Sequence, residues 1–339
     1  MIGPAISAHG GSNEARDIKI VKRSIANQWS VGARSETGYV RNENQDRMSR
    51  VRAPFGDVYI VSDGMGGHRG GALAAKLTIE ALTRSLSRIR SVSAVPVETK
   101  HAFEEANKTV YERGHSGIAE TQGMGATAVV LLVERSQAMV AHVGDSRAYL
   151  FALGELRQLT KDHTRVQRMV DAGTLTAAEA ASHPDASILE RAIGVSRDVA
   201  VDISAWIPLH EGDRILLCSD GLHGYVPDNE ISVILGNQTP PQELADRLVN
   251  RALEKGGEDN ITVQLIEYGR QRKNRWPRVI GRFAIASIAL VVPTVAFTLM
   301  GYGFATHLQV IRVSKRLPAE SRGPPPGMVI AKHDGYFTT

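Results

Sequence analysis

Asp57-Val58-Tyr59-Ile60-Val61-Ser62-Asp63-Gly64-Met65-Gly66-Gly67-His68 changes character at one residue. An apolar run reads as a strand and stops at Asp63, and a glycine-rich turn then leads into a segment of helical period. In that segment Leu73, Leu77 and Ala81, with Leu82, Leu86 and Ile89, recur at the spacing of one helix face. A carboxylate is therefore presented where a strand gives way to a loop. The placement recurs at Asp145, in Gly144-Asp145-Ser146-Arg147, and at Asp220, in Cys218-Ser219-Asp220-Gly221-Leu222. Oxygen donors gathered at strand ends suit hard divalent cations such as Mg²⁺ or Mn²⁺.

Outward from this stretch, residues 29–34 read as a strand and 98–115 as a second helix. Three β-type runs follow quickly at 126–133, 138–143 and 148–153. The last two are joined only through Gly144-Asp145-Ser146-Arg147, and so short a connection favours antiparallel pairing. Polar and alanine-rich helical material fills 164–191, and strand character returns at 201–206, 213–218 and 260–268. Helices are expected at 228–235 and 241–255, the second opened by a proline as helix starts favour. Strands and helices are grouped rather than strictly alternating. That pattern predicts an α+β layered domain, not a doubly wound parallel sheet.

Composition narrows the chemistry. The 339 residues, 42% of them hydrophobic, are enough for a large buried core. The formal charge of +4 comes from the C-terminal end, because residues 270–339 hold eleven Lys/Arg against two Asp/Glu. The remainder is mildly acidic, so no nucleic-acid-binding face is implied. The single cysteine, Cys218, fits a reducing compartment. It also excludes cysteine-dependent phosphate-ester chemistry, which needs an arginine six positions after the nucleophile where this chain has Gly224. Cys218 reads instead as a small core residue. The glycine-rich stretch after Asp63 lacks the Lys-Ser/Thr ending of a nucleotide phosphate loop and the spacing of a dinucleotide fingerprint.

Residues 1–24 read as a loosely ordered N-terminus without a signal peptide. Residues 283–304 carry no charge over 22 positions, which at about 1.5 Å per residue spans a bilayer, and they are expected to form one transmembrane helix. Arg270, Arg272, Lys273, Arg275, Arg278 and Arg282 make 270–282 a basic juxtamembrane linker that would contact anionic lipid headgroups. The positive-inside rule then predicts a single-pass protein of the bacterial inner membrane, its catalytic part in the cytoplasm and 305–339 a short polar tail.

Taken in order, Arg41-Asn42-Glu43-Asn44-Gln45-Asp46, Ser62–His68, Gly123-Met124-Gly125-Ala126-Thr127, Gly144–Arg147, Leu159-Thr160-Lys161-Asp162-His163, Ser219–Leu222 and Glu258-Asp259-Asn260 resemble the motifs of the metal-dependent type 2C serine/threonine phosphatases, bacterial branch. The resemblance runs from about Ser30 to Tyr268, and the phosphatase domain is expected over 25–269. It implies a four-layer αββα sandwich, two antiparallel sheets packed face to face with helices outside each, and a flap at 160–194. It implies hydrolysis of phosphoserine and phosphothreonine by direct attack of a metal-bridging water, with two Mn²⁺ or Mg²⁺ ions and a third, weaker one.

Carried over by position, Asp63 bridges the two metals and the Gly64 carbonyl reaches one of them. Asp220 and Asp259 complete the second metal's shell, and Asp46 orients metal-bound water. Asp145 with Asp220 holds the third ion, and Arg41 binds phosphate. Met65 cannot transfer a proton where some relatives have histidine, so His68 is the candidate general acid, with metal-bound water the alternative. Relatives usually carry Asp at Glu36 and Glu at Gln45. The second exchange removes a charge that would help orient metal-bound water. Expected partners are phosphorylated proteins and a eukaryote-like Ser/Thr kinase with its substrates. A catalytically silent, membrane-tethered module binding phosphoproteins or a kinase would be marked by loss of a core carboxylate, and every core position here retains Asp.

Overall fold

A computed structural model describes residues 29–66 and 70–269. The N-terminal stretch 1–24, His68, the basic linker, the predicted membrane helix 283–304 and the tail all lie outside these residues. Among the described residues no helix is long and apolar enough to cross a membrane.

The strands are β1 (Trp29–Glu36), β2 (Arg47–Ala53), β3 (Gly56–Ser62), β4 (Gly64–Met65), β5 (Gly125–Ala126), β6 (Ala128–Glu134), β7 (Gln137–Val143), β8 (Arg147–Ala152), β9 (Glu155–Gln158), β10 (Asp202–Ile203), β11 (Ile207–Pro208), β12 (Arg214–Cys218) and β13 (Ile261–Tyr268). The α-helices are α1 (Gly70–Leu86), α2 (Val95–Gly114), α3 (Arg165–Asp171), α4 (Ala177–Ala181), α5 (Asp220–His223), α6 (Asp228–Leu235) and α7 (Pro241–Glu254). One antiparallel sheet has the order β1-β13-β12-β8-β9. The other has the order β10-β7-β6-β3-β2, with β11 also paired to β7.

Successive side chains of a strand point to opposite faces, and the buried residues sort accordingly. Val58 and Ile60 of β3 join Ala81, Leu82 and Phe103 in a core beneath α1 and α2. Tyr59 and Val61, the alternate residues, meet Leu150, Ile215, Leu217 and Ile266 of the other sheet. On the far side Leu216, Cys218 and Val263 pack against Ile231, Leu235, Leu244 and Leu248. Helices, sheet, sheet and helices are thus stacked with an apolar core at each of three junctions.

The predicted pairing of 138–143 with 148–153 is overturned. β7 belongs to one sheet and β8 to the other, where β8 pairs with β12 and β9. The three residues between them cross from sheet to sheet. Gly144 permits this with a φ of +102°, and a Cβ there would sit 2.7 Å from the Thr127 side chain. Of the predicted strand at 201–206 only β10 forms; β11 follows just beyond it, and both are two-residue pieces on β7. β2 and β9 were not expected. Both are sheet-edge strands whose polar residues hide the period.

Candidate active site

Where the sheets meet the loops at one end lies a cleft of about 510 Å³. Arg41, Asp63, Gly64, Asp145, Asp220 and Asp259 line it, together with Val40, Glu43, Gln45, Met65, Ser187 and Leu189. Asp46 is buried behind it.

The loops that carry these residues are held by short chains of hydrogen bonds. Asp63 exchanges backbone and side-chain contacts with Thr127: the Thr127 N–H donates to the Asp63 carbonyl at 2.8 Å, and the Asp63 N–H donates to Thr127 Oγ1 at 3.0 Å. Thr127 Oγ1 also meets Ser146 Oγ at 2.6 Å, which ties the Asp63 loop to the Asp145 crossing. Asn260 joins the loop of Arg41 to that of Asp259. Its Oδ1 accepts from the Gln45 N–H at 2.7 Å, and its Nδ2 donates to the carbonyls of Thr37 and Glu43 at 2.8 and 3.1 Å. Ser219 Oγ donates to Asp46 Oδ2 at 2.6 Å while accepting from the Thr262 N–H at 3.0 Å.

Gly64 serves packing as well as access. A Cβ there would collide with the carbonyl of Gly71, because β4 runs against the first turn of α1. Gln45 lies in the same place: a Cβ on Gly71 would meet its Oε1 at 2.5 Å. Arg147 does not pair with Asp145. It grips Asp162 with Nε and Nη2, the shortest contact 2.7 Å, and so fixes the crossing to the start of segment 160–194. His223 adds a contact to the Asp145 carbonyl at 3.0 Å.

Electrostatics decide what the cleft requires. Burial, then the charges of Asp46, Asp145 and Asp259, hold Asp63 well above the usual carboxylate range. Burial, then Asp63, Asp145 and Asp259, does the same to Asp220. Burial pushes Asp46 up to about 6 against the Ser219 and Thr262 hydrogen bonds, and burial with the Asp162 charge pushes Asp145 up to about 7. Two like charges about 4 Å apart repel by about 4 kcal/mol at an effective dielectric of about 20. Whole domains are stable by only about 5–15 kcal/mol, so this many carboxylates stay ionised only with cations among them. The residues fit cations on a second count. Asp46 Oδ1 is buried with no hydrogen-bond partner, an acceptor left open toward the cleft's acidic wall.

Among the described residues, three ligating atoms come within 4.8 Å of one another at His142, His163 and Asp202. This set does not line the cleft. The Gly144 N–H donates to His163 Nδ1 at 3.1 Å, which leaves the proton on Nε2, 3.3 Å from Asp202 Oδ2. A nitrogen that carries its proton does not ligate a metal, and here it faces the carboxylate without completing a hydrogen bond. Each aspartate of the cleft is brought in by its own loop.

Comparison with known proteins decides the family. The family model "Protein phosphatase 2C" matches residues 39–265. The chain belongs to the protein phosphatase 2C family. It is a protein-serine/threonine phosphatase, and the family's dependence on Mn²⁺ or Mg²⁺ agrees with the acidic cleft. It is 36% identical over 249 residues to the serine/threonine phosphatase stp of Listeria welshimeri, an alignment covering 71% of this chain and 97% of that one. The crystal structure of the Mycobacterium tuberculosis serine/threonine phosphatase PstP/Ppp superposes with a TM-score of 0.65 at 35% identity, covering 72% of this chain and 100% of that one. A structure of the PstP catalytic domain in complex with two manganese ions gives a TM-score of 0.63 at 33% identity, covering 72% of this chain and 99% of that one.

The structure brings Arg41, Asp63, Gly64, Asp145, Asp220 and Asp259 to one cleft with Asp46 behind it. Thr127, Ser219 and Asn260 were not assigned roles from sequence. Each lies inside or beside a quoted motif, and adjacency to the aspartates was the available signal.

Proposed function

We propose that this phosphatase is anchored to the bacterial inner membrane by 283–304 and works on phosphoserine and phosphothreonine proteins at the cytoplasmic face. Asp63, Asp220, Asp259 and the Gly64 carbonyl would hold two Mn²⁺ or Mg²⁺ ions, and Asp145 with Asp220 a third, weaker one. Bound there, the cations supply charge neutralisation and lower the pKa of water. The observation that carries this reading is the convergence of separately anchored carboxylates on one cleft, with the Asp46 Oδ1 acceptor left open behind them.

The chain's own groups do the rest. Arg41, half exposed at the rim, has the planar fork that grips two phosphate oxygens. Ser219 holds Asp46 by one oxygen and leaves the other to accept a proton-bearing ligand. Among the described residues no cysteine or histidine lines the cleft, and with its aspartates committed to the cations the attacking group in this reading is water, with no phosphoenzyme. Cys218 is buried in β12 with its thiol pushed far up by burial, so it does not compete. The polar segment 160–194 contributes Ser187 and Leu189 to the rim and is the candidate determinant of substrate choice. A eukaryote-like Ser/Thr kinase and its targets are the proposed partners.

Calorimetric titration of the full-length protein with Mn²⁺ tests the ligand set. At least two ions should bind, and Asp63→Asn or Asp220→Asn should abolish the tighter binding; unchanged isotherms in both variants would refute it. Carbonate extraction of cell membranes tests the anchor. The full chain should stay with the membrane and a chain ending at residue 269 should not, and release of both would refute anchoring.

A further inference from the structure

The rim of the cleft is apolar where its floor is acidic. Among the described residues Tyr39 at 73%, Val40 at 65%, Val195 at 51% and Ile188 at 37% are exposed large hydrophobic side chains, as are Val97, Ile118, Leu153 and Val233. Val40 itself lines the cleft, immediately before Arg41, and Leu189, immediately after Ile188, lines it from segment 160–194. Met65 lines it too, and its methyl and a Val195 methyl both crowd the face of Gly125. Val40, Met65 and Leu189 thus put apolar side chains into the lining that also holds Arg41, and exposed Tyr39 and Ile188 adjoin two of them in sequence.

Both stretches, 39–40 and 188–189, are fixed to the framework. The Tyr39 N–H donates to the Gly257 carbonyl at 2.7 Å, and the Tyr39 ring lies against Gly257. The Ile188 carbonyl accepts from the Arg165 N–H at 2.9 Å, and Leu189 bridges to Thr164. Exposed hydrophobic side chains held rigidly around a binding cleft mark a contact surface. With the aspartates committed to the cations, the carboxylate left in the lining is Glu43, close to Arg41. Acidic neighbours of a phosphorylated residue would be repelled there, and apolar ones would gain burial.

We propose that this surface selects phosphoproteins with apolar residues directly flanking the phosphorylated serine or threonine and disfavours acidic ones. The inference rests on the phosphatase reading and names its substrate class. Consecutive Cα atoms lie about 3.8 Å apart, so with the phosphate at Arg41 a substrate residue one or two positions away is within reach of Val40 and Tyr39.

The test compares two phosphothreonine peptides that differ only in the flanking residues, Leu in one and Glu in the other, using the full-length protein with Mn²⁺. The Leu peptide should have a kcat/KM about tenfold higher. In the double variant Tyr39→Ser, Val40→Ser that ratio should fall toward one, and because the readout is a ratio, a general loss of activity cancels. Equal rates on both peptides for the unaltered protein, or a ratio unmoved in the variant, would overturn the proposal. p-Nitrophenyl phosphate separates the two readings: hydrolysis of this small ester with no discrimination between peptides refutes only the rim, whereas no hydrolysis of any substrate refutes the phosphatase beneath it and the rim with it.

Discussion

Arg41 Nη2 donates to Asp259 Oδ2 at 2.7 Å, so the side chain proposed for phosphate rests on a carboxylate proposed for a cation. The two cations share one acceptor and stand in competition for it. The loop of Arg41 is held to that of Asp259 by Asn260, whichever of them Asp259 serves.

Arg41→Ala should therefore separate substrate binding from metal binding. A charge-assisted hydrogen bond is worth about 1.5–3 kcal/mol, so kcat/KM on a phosphothreonine peptide should fall about 10- to 100-fold. Mn²⁺ affinity by calorimetry should not fall, because a competing cation has been removed. Weaker Mn²⁺ binding in this variant would make Arg41 a support for Asp259 and not a phosphate ligand.

Ser219→Ala removes the hydroxyl that donates to Asp46 and accepts from Thr262. An unsatisfied buried polar group costs about 1–3 kcal/mol, and the melting temperature should drop accordingly. Because Asp46 would then lose its orientation, the Mn²⁺ concentration giving half-maximal activity should rise as well. A variant with lowered melting temperature but an unchanged Mn²⁺ requirement would confine Ser219 to the fold.

Metal removal should reverse the usual pH dependence. The ordinary value for these carboxylates is 3.8, and burial raises Asp46 to about 6 and Asp145 to about 7 in the folded state. The folded protein thus holds protons that the unfolded chain has released, and stability falls as pH rises through this interval. In chelator, the melting temperature should decline from about pH 4 to about pH 7; with Mn²⁺ bound the decline should be largely removed. A chelated protein that gains stability over this range would contradict the crowding of charge in the cleft.

Much of this was legible in the residues. β3, β12 and β13 announce themselves by apolar content, and α7 by its proline start and amphipathic period. Asp63, Asp145 and Asp220 stand out because they follow apolar strands. The crossing at Gly144 was not legible, since a three-residue link can close a hairpin or change sheets, and the choice depends on Thr127 packing against it from a distant strand end. β2, with Arg47, Arg50 and Arg52 in seven residues, hides its period because an edge strand keeps one side in water. The supporting bonds of Ser219 and Asn260 span 173 and 215 positions to Asp46 and Gln45, a relation visible only once the chain is folded.

The central claim is that the gathered aspartates make a metal-dependent phosphoprotein phosphatase. Phosphate release from a phosphothreonine peptide, by the full-length protein with Mn²⁺ and with chelator, beside Asp63→Asn and Asp220→Asn, tests it directly. Release should require the metal and fall by at least about a hundredfold in each variant, the scale of losing a main electrostatic contributor. Undiminished release in chelator, or from either variant with Mn²⁺ present, would contradict it.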